Sequence, residues 1–249
     1  MARQRGVIKL EGTLDDITFI KSIDGYIAKT KGGVPPSRIL NDPQFARTRE
    51  NMNEFKLAAF SGKDLRDPLN VMIHQAPDSR VVSRVLRLMS TIAKYDTTSP
   101  RGFRNVGVAI ANPAALALLN GFEFNSRSQI ASILFKPYTV TTLTGVIKIP
   151  GLIPINDVAP PTHATHVTFF GAFAVVDFTT GASEIKYTNE VNLPIDGTST
   201  DVILTPTGVP AIAGTKIYLL QMEYFQEINS VQYALNNGIY NALVIAEAA

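Results

Sequence analysis

The sequence predicts an α+β protein in which an N-terminal β-meander and a small helical unit precede an antiparallel β-sandwich or barrel-like domain. Three observations predict it. Between Asp78 and Asp96, apolar residues recur at Val81, Val82, Val85, Leu88, Met89 and Ile92, the three-and-four spacing of one helix face. Residues 6–31 read instead as short β runs around Asp24-Gly25, a hairpin turn in which glycine tolerates the positive φ that the turn demands. From Phe122 onward, short apolar runs are separated by Pro, Gly, Asn and Asp clusters at intervals typical of sandwiches and barrels. The expected division is 1–121, a meander plus a three-helix basic domain, and 122–249, a sandwich-like domain.

Taken in order, Val7, Ile8 and Leu10 form the first expected strand, Ile17–Ile20 the second and Tyr26–Ala28 the third. A hairpin unit of this size has little core of its own and must pack on something else. Gly32-Gly33-Val34-Pro35-Pro36 reads as a linker, because tandem prolines cannot continue a ladder. Asp42-Pro43 carries a helix start, with Phe45, Met52, Phe55 and Ala59 lining one side and Gly62 as the stop. Asp67-Pro68 opens a short helix carrying Leu69, Met72 and Ile73. Asp78 stands where the N-cap of the third helix belongs. Asn112-Pro113 caps one more short helix, ending at Asn120-Gly121.

The strands expected beyond are 129–135, 138–143 with 146–149, 166–176, 184–187, 202–204, 216–225, 231–234 and 239–245. In 216–225, Tyr218, Leu220, Met222 and Tyr224 alternate with a face that includes Gln221 and Glu223, so one side is expected to be wet. Asn237-Gly238 is the strongest hairpin signal.

Charge is unevenly placed. Residues 1–104 hold 18 Lys/Arg and 11 Asp/Glu, whereas residues 105–249 hold 5 and 10, so the halves carry +7 and −5 within a chain of net charge +2. Opposed halves point either to a polyanion on the basic half or to head-to-tail attraction between copies. The helix at 78–96 supplies a basic face of Arg80, Arg84, Arg87 and Lys94. Arg47, Arg49, Lys56, Lys63, Arg101 and Arg104 extend it if the helices pack together, which is the surface a nucleic acid needs for phosphate contacts. The ordinary alternative is a solvated face on a packed helix.

Catalytic and metal chemistry find little footing. With no cysteine there is no disulfide, thiolate metal site or cysteine nucleophile. His163 and His166 point to opposite faces if extended, and no acidic partner stands beside them. The run from Asp196 to Asp201 lacks the alternating ligands of a calcium loop and reads as a polar turn. Asp15-Asp16 likewise reads as a turn. Phosphate loops, nucleophile elbows and dinucleotide fingerprints are missing. The expectation is a non-enzyme with no cofactor, no metal and no small-molecule substrate. No Sec-type signal peptide or membrane-spanning run is read, so cytoplasmic synthesis is expected, with the final location open.

The opening M-A-R-Q-x-G-x-I-K-L-E-G-T with D-I-T-F, and R-T-R-E-N-x-x-E-F at Arg47–Phe55, resemble an uncharacterised bacterial family. N-G-F-E-F-N at Asn120–Asn125 and the stretch Tyr224–Leu243 are similar to it as well. The resemblance implies a free-standing bacterial or prophage-like protein of about this length, and no functional residue carries over.

These readings converge on a self-assembling structural subunit of a filament, tube or virion-like particle, with a homo-oligomer or homopolymer as its state. The assembly element is the N-terminal arm, with Arg3, Arg5, Val7, Ile8 and Leu10 reaching a neighbouring copy and Val7–Leu10 adding to its sheet edge. The alternative is a nucleic-acid-binding protein that uses the basic helical surface.

Overall fold

A computed structural model describes residues 2–30 and 33–249. Met1 of the basic arm and Lys31-Gly32 at the start of the expected linker lie outside the described residues. About 30% of the chain is helical and 33% is in strands, and the strands pair antiparallel, so the protein is α+β. It divides into two compact units, residues 1–49 and 50–249.

The first unit holds strands β1 (Ala2–Arg3), β2 (Gly12–Leu14), β3 (Ile17–Ser22) and β4 (Gly25–Thr30) in the order β1-β4-β3-β2. A hairpin joins β3 to β4 where the sequence predicts one, but its turn residues are Ile23-Asp24, because Ser22 pairs with Gly25, which opens β4 at φ +108°. Val7–Leu10, expected as a strand, is instead a loop. The Gln4 side chain closes it by donating to the Leu10 carbonyl (3.2 Å) and accepting from the Leu10 amide (2.9 Å), so those backbone groups are paired without a ladder. Residues 33–35 of the expected linker carry no regular structure, and its last residue, Pro36, begins a short helix, α1 (Pro36–Asn41). Its ring pre-sets φ at the first helical position, where the missing amide costs nothing.

The second unit contains most of α2 (Ala46–Arg66), then α3 (Asn70–Gln75), α4 (Val81–Ile92), α5 (Val106–Ala109), α6 (Pro113–Leu116) and α7 (Ile130–Ile133). Its strands and last helix are β5 (Thr139–Thr141), β6 (Val146–Leu152), α8 (Pro154–Asp157), β7 (His166–Val176), β8 (Ser183–Tyr187) and β9 (Val191–Pro194). They are completed by β10 (Thr200–Leu204), β11 (Thr215–Ile228), β12 (Val231–Ala234) and β13 (Ala242–Ala248). A six-stranded sheet is built on β7 and β11, which pair residue for residue from Val176 opposite Thr215 to His166 opposite Phe225. β12 and β13 border β11, while β8 and β9 border β7. A smaller sheet has the order β10-β6-β5.

Alternation along these strands feeds two cores. Phe170, Ala172, Ala174, Ile217, Leu219, Leu243 and Ile245 face the helices, meeting Leu65, Met72, Val85, Met89 and Ile92. Val167, Phe169, Leu220, Met222 and Val244 face the small sheet, meeting Ile147, Ile149, Val202 and Leu204. The unit is therefore layered as helices, large sheet and small sheet, and residues 50–121 share a core with the β-rich half.

Several elements depart from expectation for physical reasons. Residues 129–135, read as a strand, include helix α7. Helix α2 turns Ala58, Ser61, Gly62 and Leu65 inward, whereas Met52 and Phe55 lie exposed. Gly62 is not a stop. A Cβ there would lie 3.3 Å from Val85 Cγ1, so its lack of a side chain lets α2 approach α4. The expected wet side of β11 is covered by the helices, and Gln221 is fully buried, donating to Glu223 Oε1 (2.6 Å). Asn237-Gly238 makes no hairpin, since β12 and β13 both pair with β11. Asn236, Asn237 and Gly238 all take positive φ in a tight crossover. The two-residue turn is Asn229-Ser230 (φ +51° and +64°), between β11 and β12.

Gly171 sits where a Cβ would lie 2.4 Å from the Leu219 carbonyl oxygen in the middle of the β7–β11 pair. Gly171→Ala should therefore destabilise the protein by about 3 kcal/mol, the upper range for overpacking a rigid site. This will register as a lower denaturant midpoint with an unchanged m value.

Candidate assembly surfaces

The arm residues sit at one end of the small N-terminal sheet. Arg3 is the last residue of β1 and pairs with Ile27. Arg5, Val7, Ile8 and Leu10 lie in the loop closed by Gln4, and all are exposed. Val7 at 101% and Ile8 at 81% relative exposure form its tip. Lys9 folds back, donating to the Gln4 carbonyl at 2.6 Å. Two apolar side chains thus stand on a loop stiffened by three local hydrogen bonds. None of the described residues of the 1–49 unit is buried.

The basic face of α4 does not come together as the sequence suggests. Arg87 and Lys94 are exposed. Arg84 turns inward, donating to the carbonyls of Glu123 (2.6 Å) and Phe124 (2.5 Å) and to Asp78 Oδ2 (2.8 Å), with its guanidinium 5.5 Å from the Phe122 ring. Asp78 is a hub rather than the N-cap. Arg80 occupies the cap position, and the Asp78 carboxylate accepts from the Arg80 amide (2.6 Å) and from the Ser126 amide (2.9 Å) and hydroxyl (2.7 Å). Burial raises the Asp78 pKa, but these bonds and the Arg84 charge outweigh it and hold the carboxyl at about 2.

The other cations are largely committed. Arg101 pairs with Glu50 (3.1 Å), Arg104 clasps both oxygens of Glu54 (2.7 and 2.6 Å) and Lys63 pairs with Asp67 (3.3 Å). Arg49 donates to the carbonyls of Ile39 and Asp42. Lys56 lies 5.6 Å from the Phe60 ring centre.

The remaining polar candidates serve turns and strand ends. His163 takes a left-handed conformation (φ +74°), and His166 begins β7 with Nε2 3.5 Å from Glu227. Asp196 accepts from the Thr198 amide and Asp201 from the Gly151 amide. No three His, Cys, Asp or Glu side chains gather as metal ligands among the described residues. No described helix is long and apolar enough to cross a membrane.

Sequence reading missed Glu123. It belongs to the Asn120–Asn125 stretch, which covers the free edge of β13 through bonds from Phe124 to Leu243 and from Ile245 to Phe122. Burial pushes the Glu123 carboxyl up to about 7, against weaker opposing bonds from Ile130 and Ala131 and the Arg84 charge. Its Oε2 is buried without a hydrogen bond. Nothing in the local sequence marks it, because its burial comes from strands far along the chain.

Comparison with known proteins finds no matching protein-family model, no matching curated protein and no matching solved structure.

Two outcomes follow. Arg84→Ala should cost about 3 kcal/mol, because it leaves buried Asp78 without its cation, whereas Arg87→Ala should stay within about 0.5 kcal/mol. The raised Glu123 pKa means that the folded state binds more protons than the unfolded state between the ordinary glutamate range and about 7. Stability should therefore fall as pH rises through that window, and Glu123→Gln should flatten the fall in melting temperature.

Proposed function

We propose that this protein is a self-assembling structural subunit of a homopolymeric filament, tube or virion-like particle, joined head to tail through its N-terminal unit. One observation carries the reading: a unit of 49 residues without a single buried described side chain, exposing Val7, Ile8, Leu14, Ile17 and Ile23. A four-stranded sheet with no core is marginal in water and gains stability once its apolar side chains are covered. The +7 and −5 halves favour a heterologous contact, in which unlike surfaces of successive copies meet. Such contacts close into rings or extend into filaments according to the rotation between copies.

The expected result in size-exclusion chromatography with light scattering is large, protein-only particles that dissociate at high salt as the opposed charges are screened. The triple substitution Val7→Ser, Ile8→Ser and Leu10→Ser should give a folded monomer. A wild-type chain that stays monomeric at all concentrations overturns the reading. Particles whose absorbance ratio reveals bound nucleic acid, lost on charge reversal at Arg87 and Lys94, would favour the basic-surface alternative.

A further inference from the structure

The second unit carries a groove that the assembly reading leaves unassigned. Its volume is about 460 Å³, within the roughly 300–1,000 Å³ usual for binding pockets. Phe60, Phe103, Phe178 and Leu57 line it, and Asp64 and Asn105 supply polar groups. Phe60 and Phe103 are 53% and 62% exposed, unusual for phenylalanine, so the groove presents open aromatic surface of the kind that marks interaction sites. Phe60 stands on α2 away from its buried residues Ala58, Ser61, Gly62 and Leu65, and Phe103 comes from the loop before α5.

Asp64 gives the groove its sign. Among the described residues its carboxylate has neither a hydrogen bond nor an ion pair, since neighbouring Lys63 is taken by Asp67 at 3.3 Å. The carboxylate lies over Gly181, where a Cβ would come 3.3 Å from Oδ1. Burial raises its pKa and the nearby Asp67 charge adds to the rise, outweighing the opposing charge of Lys63.

The loop tip of the N-terminal unit has the complementary features. Val7 and Ile8 project as an apolar knob, flanked by the exposed cation Arg5. No acidic residue occurs from Arg3 through Leu10.

We propose that the Asp64 groove receives the Arg5–Ile8 loop tip of a second copy, with Val7 and Ile8 against the three phenylalanines and Arg5 on Asp64. This rests on the assembly reading and names the surface at which one copy meets the next. An apolar centre with a charge pair at its rim sets both affinity and register. Because knob and groove lie on different units, the contact is heterologous and repeats from copy to copy.

The absence of native cysteine allows a direct test on the full chain. Copies carrying Ile8→Cys are mixed with copies carrying Thr180→Cys on the groove rim, and a short bismaleimide is added. The expected product is a cross-linked pair of chains. Leu143→Cys, on an exposed turn of the small-sheet side, should give none. In parallel, Asp64→Lys should raise the concentration for half-assembly by roughly tenfold or more, the scale of losing an interfacial charge pair. Arg5→Glu in the same chain should restore it. Circular dichroism checks that Asp64→Lys is folded, and the exposed-site variant Phe103→Ser replaces it if it is not. Particles that form without the cross-link, or that assemble normally with Asp64→Lys, overturn the groove assignment while leaving assembly standing. Cross-links confined to single chains of a double-cysteine variant exclude a second copy as the occupant. A monomer under all conditions overturns both.

Discussion

The antiparallel pairing of β7 with β11 organises the second unit. It runs over eleven residues of each strand, and almost every side chain in it is buried on one face or the other. A strand pair apolar on both faces cannot be left half in water, so both faces need covers. The helices of residues 50–121 supply one and the β10-β6-β5 sheet the other. Close approach at Gly171 and the tilted stack of Phe173 on Tyr218, ring centres 4.6 Å apart, show how tightly the pair is set. The Tyr218 hydroxyl donates to the Thr142 carbonyl, binding the pair to the turn before β6.

Polar groups buried by this arrangement are tied across layers. The Asn125 side chain donates to the carbonyls of Ile239 and Asn241, and Asn241 Nδ2 donates to the Gln75 carbonyl, so three distant segments meet at the end of α3. Asp78 and Arg84 do the same between the start of α4 and residues 123–126. Arg84 is thereby removed from the basic surface that its spacing suggests. Cations on one helical stripe act together only when none is claimed by a buried acceptor.

The first unit is organised by the opposite condition. Its hairpins satisfy backbone hydrogen bonds, yet its apolar side chains find no interior. Local bonding alone can shape a sheet, but burial is what stabilises it. The contrast between a heavily buried unit and an uncovered one is the physical basis for reading the chain as a subunit.

Local signals settled much of the design: a hairpin between β3 and β4, the Asn112-Pro113 helix start, the strand at 166–176 and the α+β order along the chain. These depend on φ preferences, capping and alternation within a few residues, which neighbours in sequence decide. Which apolar side chains are covered is a different matter. Met52 and Phe55 have the spacing of a core stripe but lie outside, because Gly62 and Ala58 allow the closer approach to α4. Gln221 looks solvated and is buried, because helices from a hundred residues earlier lie over it. Glu123 and Asp64 acquire their environments in the same way. The sequence by itself determined most of the longer elements and their order, though not helix α7 or the loop at Val7–Leu10. Only the tertiary structure decided which faces are buried, which charges are free and where an uncovered groove and knob remain, because burial is set by contacts between segments remote in the chain.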